Sequence, residues 1–362
     1  MKVTSSVLRT VKLPAARHSL GEIPYGLDSY LLIQLCTDSG LEGIAYCGYV
    51  FPTLIGALRA TMRTMLDAAV GMDVWDTQRL VMVRNGLGLG SPAGLVARAA
   101  SAVDMALWDL RGKATGEPVW RLLGAAGPRV ASYASGHLWR HYSISELETS
   151  AHELAELGWR AMKLRCGAEP DDDREVERLA VVRRAVGPQV RIMIDVNQEW
   201  TVAQSIAMGR RFAPLDPFWL EDPLPAEDYS GYAAVTAALV TPICAGEYVY
   251  GLAPLCELVA RRSVDILMID GMRAGGITGF MKAAAVAEAH YTPVVSHLAT
   301  EYLAHAIAAC PNGLTAEHIP WTSPLFTAVP SLDPSDGALV LFDTPGFGLD
   351  FDEERIARYV VD

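Results

Sequence analysis

The stretch that decides the fold is residues 160–195, RAMKLRCGAEPDDDREVERLAVVRRAVGPQVRIMID. Short apolar runs at its two ends, 160–165 and 190–195, are typical of buried strands. The intervening segment VERLAVVRRAVG (176–187) has apolar residues at helical spacing and ends in a glycine. A strand, a helix and a strand in this order predict one βαβ unit of a parallel sheet.

The same alternation of strand and helix continues on both sides of this unit. Between the first two strands, residues 143–158 have helical periodicity, and Ser145 with Glu148 forms a predicted capping box. Eight strands alternating with helices predict an α/β fold, a parallel (β/α)8 or TIM barrel. The predicted strands are 129–134, 160–165, 190–195, 217–222, 242–247, 264–270, 292–297 and 314–319.

The residues before the barrel have a different pattern. Residues 29–49 contain two strand-like runs joined by Asp38-Ser39-Gly40, a hairpin signal, and residues 53–123 are mainly helical in pattern. Glycine and proline cluster at 124–129, where we expect a boundary. The chain is therefore predicted to form an α+β domain at 1–125, a barrel at 126–324, and a C-terminal segment at 325–362 that packs on the first domain.

The composition restricts the classes of partner. Against 30 basic residues the chain has 42 acidic ones, giving a formal net charge of −12 and a pI near 5.2. Such a surface repels nucleic acid and anionic lipid, so a small molecule is the expected partner. No apolar run reaches the roughly 18 residues of a membrane helix. The N-terminus lacks a signal-peptide core, and six scattered cysteines form no C-x-x-C pair, so we expect a cytoplasmic protein.

Polar residues fall at or near the carboxyl ends of seven predicted barrel strands, separated by 32, 26, 26, 23, 27 and 20 residues. Each separation is about one βα unit, so a barrel places all seven side chains around one mouth, where active sites of this fold are built. One polar residue at a strand end is usually a cap or part of an ion pair, but seven such residues indicate a shared functional site. The seven are Lys163, Asp195, Glu221, Glu247, Asp270, His297 and Glu317.

Three of these residues, Asp195, Glu221 and Glu247, are acids on adjacent strands. Carboxylates that are forced together raise one another's pKa unless a cation lies between them. Hard oxygen ligands on rigid strands favour Mg²⁺. The alternative is that each acid pairs with an arginine or lysine of its own.

Asp270 and His297 end neighbouring strands, the sixth and seventh of the barrel. A carboxylate beside an imidazole fixes its tautomer and raises its basicity, so the two residues predict an acid–base dyad. For a lone histidine such as His305, a core position is the better interpretation. His137 and His318 lie close enough to strand ends to reach the mouth, although an ordinary structural role is the simpler interpretation of both.

The motifs K-L-R, D-V-N, E-D-P, G-E, D…GGITG and S-H, with Glu317 one strand later, resemble those of the enolase superfamily. Within it, the chain is similar to the mandelate racemase subgroup, which also contains acid-sugar dehydratases. Residues 101–124 resemble that family's capping-domain helix, and PGFGLDFDEERIARY (345–359) resembles its C-terminal end. The resemblance implies a modified barrel, (β/α)7β, beneath the α+β capping domain, and a homo-oligomer.

The same resemblance implies a chemistry. It implies Mg²⁺ on Asp195, Glu221 and Glu247, with a substrate carboxylate bound to that metal. It also implies the Asp270–His297 dyad, and Glu317 as a hydrogen-bond donor or acid toward the substrate carboxylate. A proton beside a carboxylate is very weakly acidic, and fixed positive charge facing that carboxylate makes its removal feasible.

Position 165 departs from the family pattern, which is usually Lys-x-Lys with the second lysine as a base. Here Lys163 is followed by Arg165, whose pKa above about 12 makes it a poor proton acceptor. Its guanidinium is better suited to binding a carboxylate or an enediolate, while a desolvated Lys163 can donate hydrogen bonds or titrate. This departure favours dehydration of an aldonate or aldarate to a 2-keto-3-deoxy acid, with His297 as base, as acid for the departing water, or as both.

Two other functions stay open. Racemisation or epimerisation of a 2-hydroxy acid or related carboxylate is the first alternative. A barrel that binds a carboxylate without turnover is the second. Cycloisomerisation of the muconate type is disfavoured, because Asp270 stands where that subgroup carries a lysine.

Substrate identity is expected to depend on two capping-domain loops, 16–30 and 47–52. Their polar and aromatic side chains are candidate contacts for hydroxyl or carboxylate groups. With the asparagine of the D-V-N motif, the candidates are Arg17, His18, Tyr25, Tyr49 and Asn197.

Overall fold

The N-terminal part of the chain is an α+β unit, as predicted. The computed structural model describes residues 1–13, 28–86 and 93–361. Three strands form an antiparallel sheet in chain order, two of them within the predicted range 29–49, and four helices follow. The elements are β1 (Val3–Lys12), β2 (Ser29–Thr37), β3 (Glu42–Cys47), α1 (Ile55–Ala69), α2 (Thr77–Gly86), α3 (Gly94–Thr115) and α4 (Val119–Leu122).

Helix α3 lies directly against β3. Gly43 permits this approach, because a Cβ at this position would lie 2.3 Å from the carbonyl oxygen of Ala106. The buried carboxylate of Asp109 then accepts hydrogen bonds from Ile44 N and Phe347 N, both at 3.0 Å. The helix therefore joins the N-terminal sheet to the C-terminal segment.

The predicted eight-stranded parallel barrel is confirmed. Each strand pairs in parallel with the next, and the last strand pairs with the first to close the barrel. The strands are β4 (Arg129–Leu138), β5 (Ala161–Arg165), β6 (Arg191–Asp195), β7 (Trp219–Glu221), β8 (Ile243–Ala245), β9 (Ile266–Asp270), β10 (Val294–His297) and β11 (Gly313–His318).

Helical segments connect successive strands, while β11 is followed only by a 3-10 segment, Pro320–Leu325, which gives the (β/α)7β form. The capping box lies two residues earlier than predicted, because Ser143 and Glu146 bond reciprocally at the start of the first barrel helix. The helices are α5 (Ile144–Glu156), α6 (Asp172–Val186), α7 (Val202–Phe212), α8 (Tyr229–Ala238), α9 (Leu252–Ala260), α10 (Gly271–Ala274), α11 (Gly276–Ala289) and α12 (Thr300–Ala309).

Apolar side chains fill the barrel interior. They form a buried cluster from seven of the eight strands, with Trp219 and Tyr133 in edge-to-face contact at 5.3 Å between ring centroids. The barrel is thus a packed core, and the polar residues at the carboxyl ends of its strands lie above an apolar interior.

The C-terminal segment contacts both units. It contains β12 (Ser331–Asp333), β13 (Ala338–Val340) and α13 (Glu353–Ile356), and β13 pairs antiparallel with β4 of the barrel. Further along, Lys12 N donates to Tyr359 O at 2.9 Å, so this part of the segment lies against the N-terminal sheet. The domain boundaries themselves, at 125/126 and 324/325, stay predictions.

Within the described ranges no helix is both long and apolar enough to cross a lipid bilayer. Helix α3 has 22 residues, but it contains five charged side chains.

Candidate active site

The structure brings the seven predicted strand-end residues together at one end of the barrel. The pairing of neighbouring strands explains why: Arg165 is opposite Asp195, Asp195 is opposite Glu221, and Asp270 is opposite His297. All seven residues are buried, with His297 the most exposed at 6%. Because neighbouring strands pair in register, polar residues one βα unit apart in the sequence lie beside one another at the mouth of the barrel.

Asp195, Glu221 and Glu247 form a compact carboxylate trio. Each offers an oxygen within 4.8 Å of those of the other two, so the trio can hold a metal ion. Burial, and then the charge of Asp195, raises the pKa of Glu221 well above its ordinary value, against the opposing charge of Lys163. The positive charge of Lys163 alone therefore does not neutralise the negative charge of the trio.

Lys163 is the cation at the centre of the mouth. Its Nζ lies 2.7 Å from Glu221 Oε1, 2.7 Å from Glu317 Oε1 and 3.4 Å from Asp195 Oδ2. Burial alone would lower its pKa, but the carboxylates of Glu221 and Glu317 hold it well above the ordinary value. The lysine is therefore charged in this arrangement and donates hydrogen bonds.

Arg165 lies on the same side of β5 as Lys163. Its guanidinium contacts Asp195 Oδ2, donates to Asn197 Oδ1 at 3.0 Å, and lies 5.3 Å from the centre of the Trp139 ring. Burial would raise the pKa of Asp195, but Arg165 and then Lys163 outweigh it and lower that pKa to about 2. Both arrangements considered from the sequence are thus present: the acids have basic neighbours, and they are also close enough to share a cation.

Glu247 provides the test of whether a cation fits. Its Oε2 is buried and accepts no hydrogen bond from the described residues, although His297 Nε2 lies 3.2 Å away. At this distance the two atoms are held together either by a proton on Nε2 or by a cation that lies close to Glu247. Three buried carboxylates with one unsatisfied oxygen fit a hard divalent ion.

The dyad has the geometry of an oriented imidazole. His297 Nδ1 lies 3.1 Å from Asp270 Oδ2, while Asp270 Oδ1 accepts hydrogen bonds from Met272 N at 2.7 Å and Arg273 N at 3.2 Å. Burial opposes ionisation of Asp270, but the hydrogen bond from His297 and the charge of Arg273 lower its pKa to about 2. The ionised aspartate places the proton on Nδ1 and leaves Nε2 facing the mouth.

Glu317 is an ionised hydrogen-bond acceptor in this arrangement. Its Oε2 accepts from Leu298 N at 2.7 Å, and its Oε1 pairs with Lys163. Burial would raise its pKa, but the charges of Lys163 and His297 lower that pKa to about 2. A role as donor or acid would require a substrate carboxylate that displaces Lys163 or raises this pKa.

The candidate substrate contacts are divided between described and undescribed parts of the chain. Asn197 lies in the mouth beside Arg165, and its Nδ2 donates to Tyr248 Oη at 3.1 Å. The buried Tyr49 has a left-handed backbone, with φ 58, and its hydroxyl lies 3.3 Å from Tyr46 Oη. The other three, Arg17, His18 and Tyr25, lie outside the described residues.

His137, His305 and His318 form no ion pair with a carboxylate of the described residues, and the charge of Glu317 raises the pKa of His318 too little to offset its burial. Burial lowers the pKa of His137 to about 4, and burial together with His137 lowers that of His318 to about 4. His305 is a core residue, as expected: its Nδ1 accepts from Trp120 N at 3.2 Å, and burial lowers its pKa to about 3. All three are therefore neutral near pH 7.

Sequence reasoning missed Arg140, which binds three parts of the mouth together. Its guanidinium donates to Cys166 O at 2.6 Å, to Val196 O, and to Asn197 Oδ1 at 3.0 Å. It lies in the loop after β4, where no periodicity marks a side chain as inward-facing. Tyr248 was also missed, although its position directly after Glu247 was a usable signal.

Comparison with known proteins identifies relatives for the whole chain. A family model described as enolase C-terminal domain-like matches residues 146–355, and one for the mandelate racemase / muconate lactonizing enzyme N-terminal domain matches residues 6–124. The L-talarate/galactarate dehydratase of Salmonella typhimurium is 30% identical over 328 residues, covering 90% of this chain and 81% of that protein. The 3,6-anhydro-alpha-L-galactonate cycloisomerase of Streptomyces coelicolor is 33% identical over 346 residues, covering 92% of each.

Solved structures agree with this assignment. An L-talarate dehydratase from Polaromonas, complexed with Mg and L-glucarate, has a TM-score of 0.88 and 29% identity, covering 100% of this chain and 98% of that chain. The N-terminal and C-terminal domain models of one family thus match this chain in the expected order, residues 6–124 and then 146–355. The chain belongs to the mandelate racemase and muconate lactonizing enzyme family of the enolase superfamily.

Proposed function

We propose that this protein removes the proton α to the carboxylate of an acid sugar and eliminates the β-hydroxyl, giving a 2-keto-3-deoxy acid. The observation that carries the proposal is the contact between two groups of residues. A trio of buried carboxylates able to hold Mg²⁺ lies beside an oriented imidazole, with His297 Nε2 3.2 Å from Glu247 Oε2. Relatives named as dehydratases of talarate, galactarate and arabinonate support this reaction class.

Asp195, Glu221 and Glu247 would hold the Mg²⁺, which supplies the positive charge that stabilises an enediolate. The charge on Lys163 and Arg165 adds to this field at the carboxylate end of the substrate. Both side chains are buried, so their interaction with a developing negative charge is stronger than it would be in water. The two cations therefore lower the barrier to proton removal without taking up the proton.

His297 Nε2 would accept the α-proton, while Asp270 stabilises the imidazolium through Nδ1. The electron pair of the broken C–H bond forms the double bond between the α- and β-carbons as the C–O bond of the β-hydroxyl breaks. His297 then gives its proton to the departing hydroxyl, so that water leaves. The enol product rearranges to the 2-keto acid, and the overall reaction loses only water.

Arg165 argues against racemisation by two bases. Burial would lower its pKa, but Asp195, Glu221 and Glu247 raise it above the ordinary value, so the guanidinium accepts no proton near pH 7. One face of the substrate carbon therefore lacks a base at this position. Elimination needs only His297, and this difference favours the dehydratase over the racemase.

Ring opening is a second candidate. The cycloisomerase relative is 33% identical over 92% of both chains. In a substrate whose β-oxygen belongs to a ring, the same α-proton removal breaks a ring C–O bond, and no water is lost. The two candidates share every residue role and differ only in the leaving group.

The test is a screen of mono- and diacid sugars, with anhydro-sugar acids included, in D₂O with Mg²⁺. A 2-keto-3-deoxy acid formed with loss of water supports dehydration, and a keto acid isomeric with its substrate supports ring opening. His297→Asn should abolish product, while His290→Asn at an exposed position should not. Deuterated substrate of inverted configuration would establish racemisation, and binding of acids without any conversion would refute catalysis.

A further inference from the structure

A cavity of about 630 Å³ opens at the end of the barrel opposite the mouth. Three arginines line it from the starts of three consecutive strands: Arg129 in β4, Arg160 just before β5, and Arg191 in β6. Arg191 and the metal-ligand candidate Asp195 are the two ends of β6, about 13 Å apart at the usual rise per residue. This cavity is therefore separate from the candidate active site.

The three arginines differ in their partners. Arg129 pairs with Asp333 at 3.0 Å and with Asp336 at 2.7 Å, so its charge is neutralised. Arg160 and Arg191 pair with no carboxylate of the described chain within 4.0 Å. The polar contact of Arg160 is a carbonyl, Pro334 O at 3.5 Å. Two positive charges thus face the cavity without an anionic partner.

Both unpaired arginines are exposed, and each has a neighbour along its side chain. The side chain of Arg160 passes over Gly337, where a Cβ would lie 2.9 Å from the Arg160 Cγ. The guanidinium of Arg191 lies 4.6 Å from the centre of the Phe218 ring. The glycine thus gives the Arg160 side chain room beside the cavity, and the ring gives Arg191 a cation–π contact that helps to position its guanidinium.

We propose that this cavity binds a small dianion, either a phosphate or a short dicarboxylate. Two guanidinium groups match such a ligand because each can form paired hydrogen bonds to one set of oxygens. The volume falls within the range of small-molecule sites, about 300–1,000 Å³. The chain carries a net charge of −12, so a local excess of positive charge in a cavity is not a general property of its surface.

Asp336 should oppose this binding, because it lines the cavity and neutralises Arg129. Removing its charge while keeping its shape leaves Arg129 with Asp333 as its one carboxylate partner among the described residues, so more of the arginine's positive charge acts on the ligand. The proposal thus predicts opposite effects for two neighbouring changes. Loss of Arg160 and Arg191 weakens binding, and Asp336→Asn strengthens it.

The test is isothermal titration of the full chain in EDTA with inorganic phosphate and, in a separate arm, with succinate. Saturable binding of one ligand per chain is expected in at least one arm, and the tighter arm assigns the ligand class. Arg160→Gln/Arg191→Gln should weaken this binding at least about tenfold, a loss of about 1.4 kcal/mol. Asp336→Asn should tighten it about threefold to tenfold.

The matched control is Arg174→Gln/Arg211→Gln, which removes two arginines that pair with acids elsewhere on the surface. Its affinity for the ligand should equal that of the wild type. Absence of saturable binding in both arms would overturn the proposal, as would equal affinities in the cavity and control double variants. No turnover is measured, so the outcome is independent of the proposed reaction.

Discussion

Lys163→Met is the change that most directly tests how the mouth is stabilised. The ammonium group is fully buried and lies within 3.4 Å of three carboxylates, Asp195, Glu221 and Glu317. Methionine has a similar length without the charge, so the variant leaves those acids without their shared cation. Breaking a buried ion pair by removing one partner costs about 3–5 kcal/mol. In EDTA the variant should lose about this much free energy of unfolding.

Magnesium should reduce this difference between variant and wild type. An ion that binds only the folded state stabilises it by about 2.7 kcal/mol at a hundredfold excess over its Kd. In the variant no ammonium repels the ion, so Mg²⁺ should bind more tightly and stabilise the fold more than in the wild type. The added ion partly replaces the charge that Lys163 provided.

Urea unfolding followed by tryptophan fluorescence, in EDTA and in excess Mg²⁺, measures both effects. In EDTA the midpoint of the variant should be lower than that of the wild type by about 1 M. Lys12→Met is the control, because Lys12 is an exposed lysine 3.8 Å from Asp28 and its loss should cost about 0–1 kcal/mol. If Lys163→Met costs no more than this control, or if Mg²⁺ widens the difference, the proposed charge balance is wrong.

Three further changes test other parts of the protein. Asp195→Asn should weaken Mg²⁺ binding at least about a hundredfold in isothermal titration, while Asp172→Asn on the surface should leave it unchanged. Arg140→Lys keeps the charge, but its single nitrogen cannot span the three acceptors that Arg140 reaches from Nε and Nη2, so the KM for the acid substrate should rise about tenfold, whereas Arg174→Lys should not change it. His305 has a pKa of about 3 in the fold against 6.5 ordinarily, so its stabilising effect is complete above pH 6.5 and is lost as the pH falls toward 3. His305→Gln should therefore reduce the difference in unfolding free energy between pH 7 and pH 5 by about 2 kcal/mol, and an unchanged difference would contradict a neutral buried histidine.

The barrel and the approximate positions of its polar residues were predictable because both follow from local patterns. An apolar strand of about five residues recurs with each βα unit, and residues at successive strand ends must meet when the sheet closes. Asp195 and Glu221 could therefore be placed side by side from their spacing alone. Their register in adjacent strands agrees with that placement.

Other features depend on contacts that no local pattern encodes. Both Ser143…Glu146 and Ser145…Glu148 satisfy the capping-box pattern, and only the structure shows which pair begins the helix. Arg140 has no signal in its own loop, since its importance comes from carbonyls on two other loops. The pairing of β13 with β4 was missed for the same reason, because about 200 residues separate the two strands.

The contact between the two ends of the chain has a consequence for biosynthesis. Val361 N donates to Thr10 O at 3.0 Å, and Lys12 N donates to Tyr359 O at 2.9 Å, so one edge of β1 is paired with residues that lie far later in the chain. During translation that strand edge lacks these partners until residues 359–361 have emerged from the ribosome. Joining of the N-terminal sheet to the C-terminal segment is thus a late step in folding, and nascent chains must protect an open edge until then.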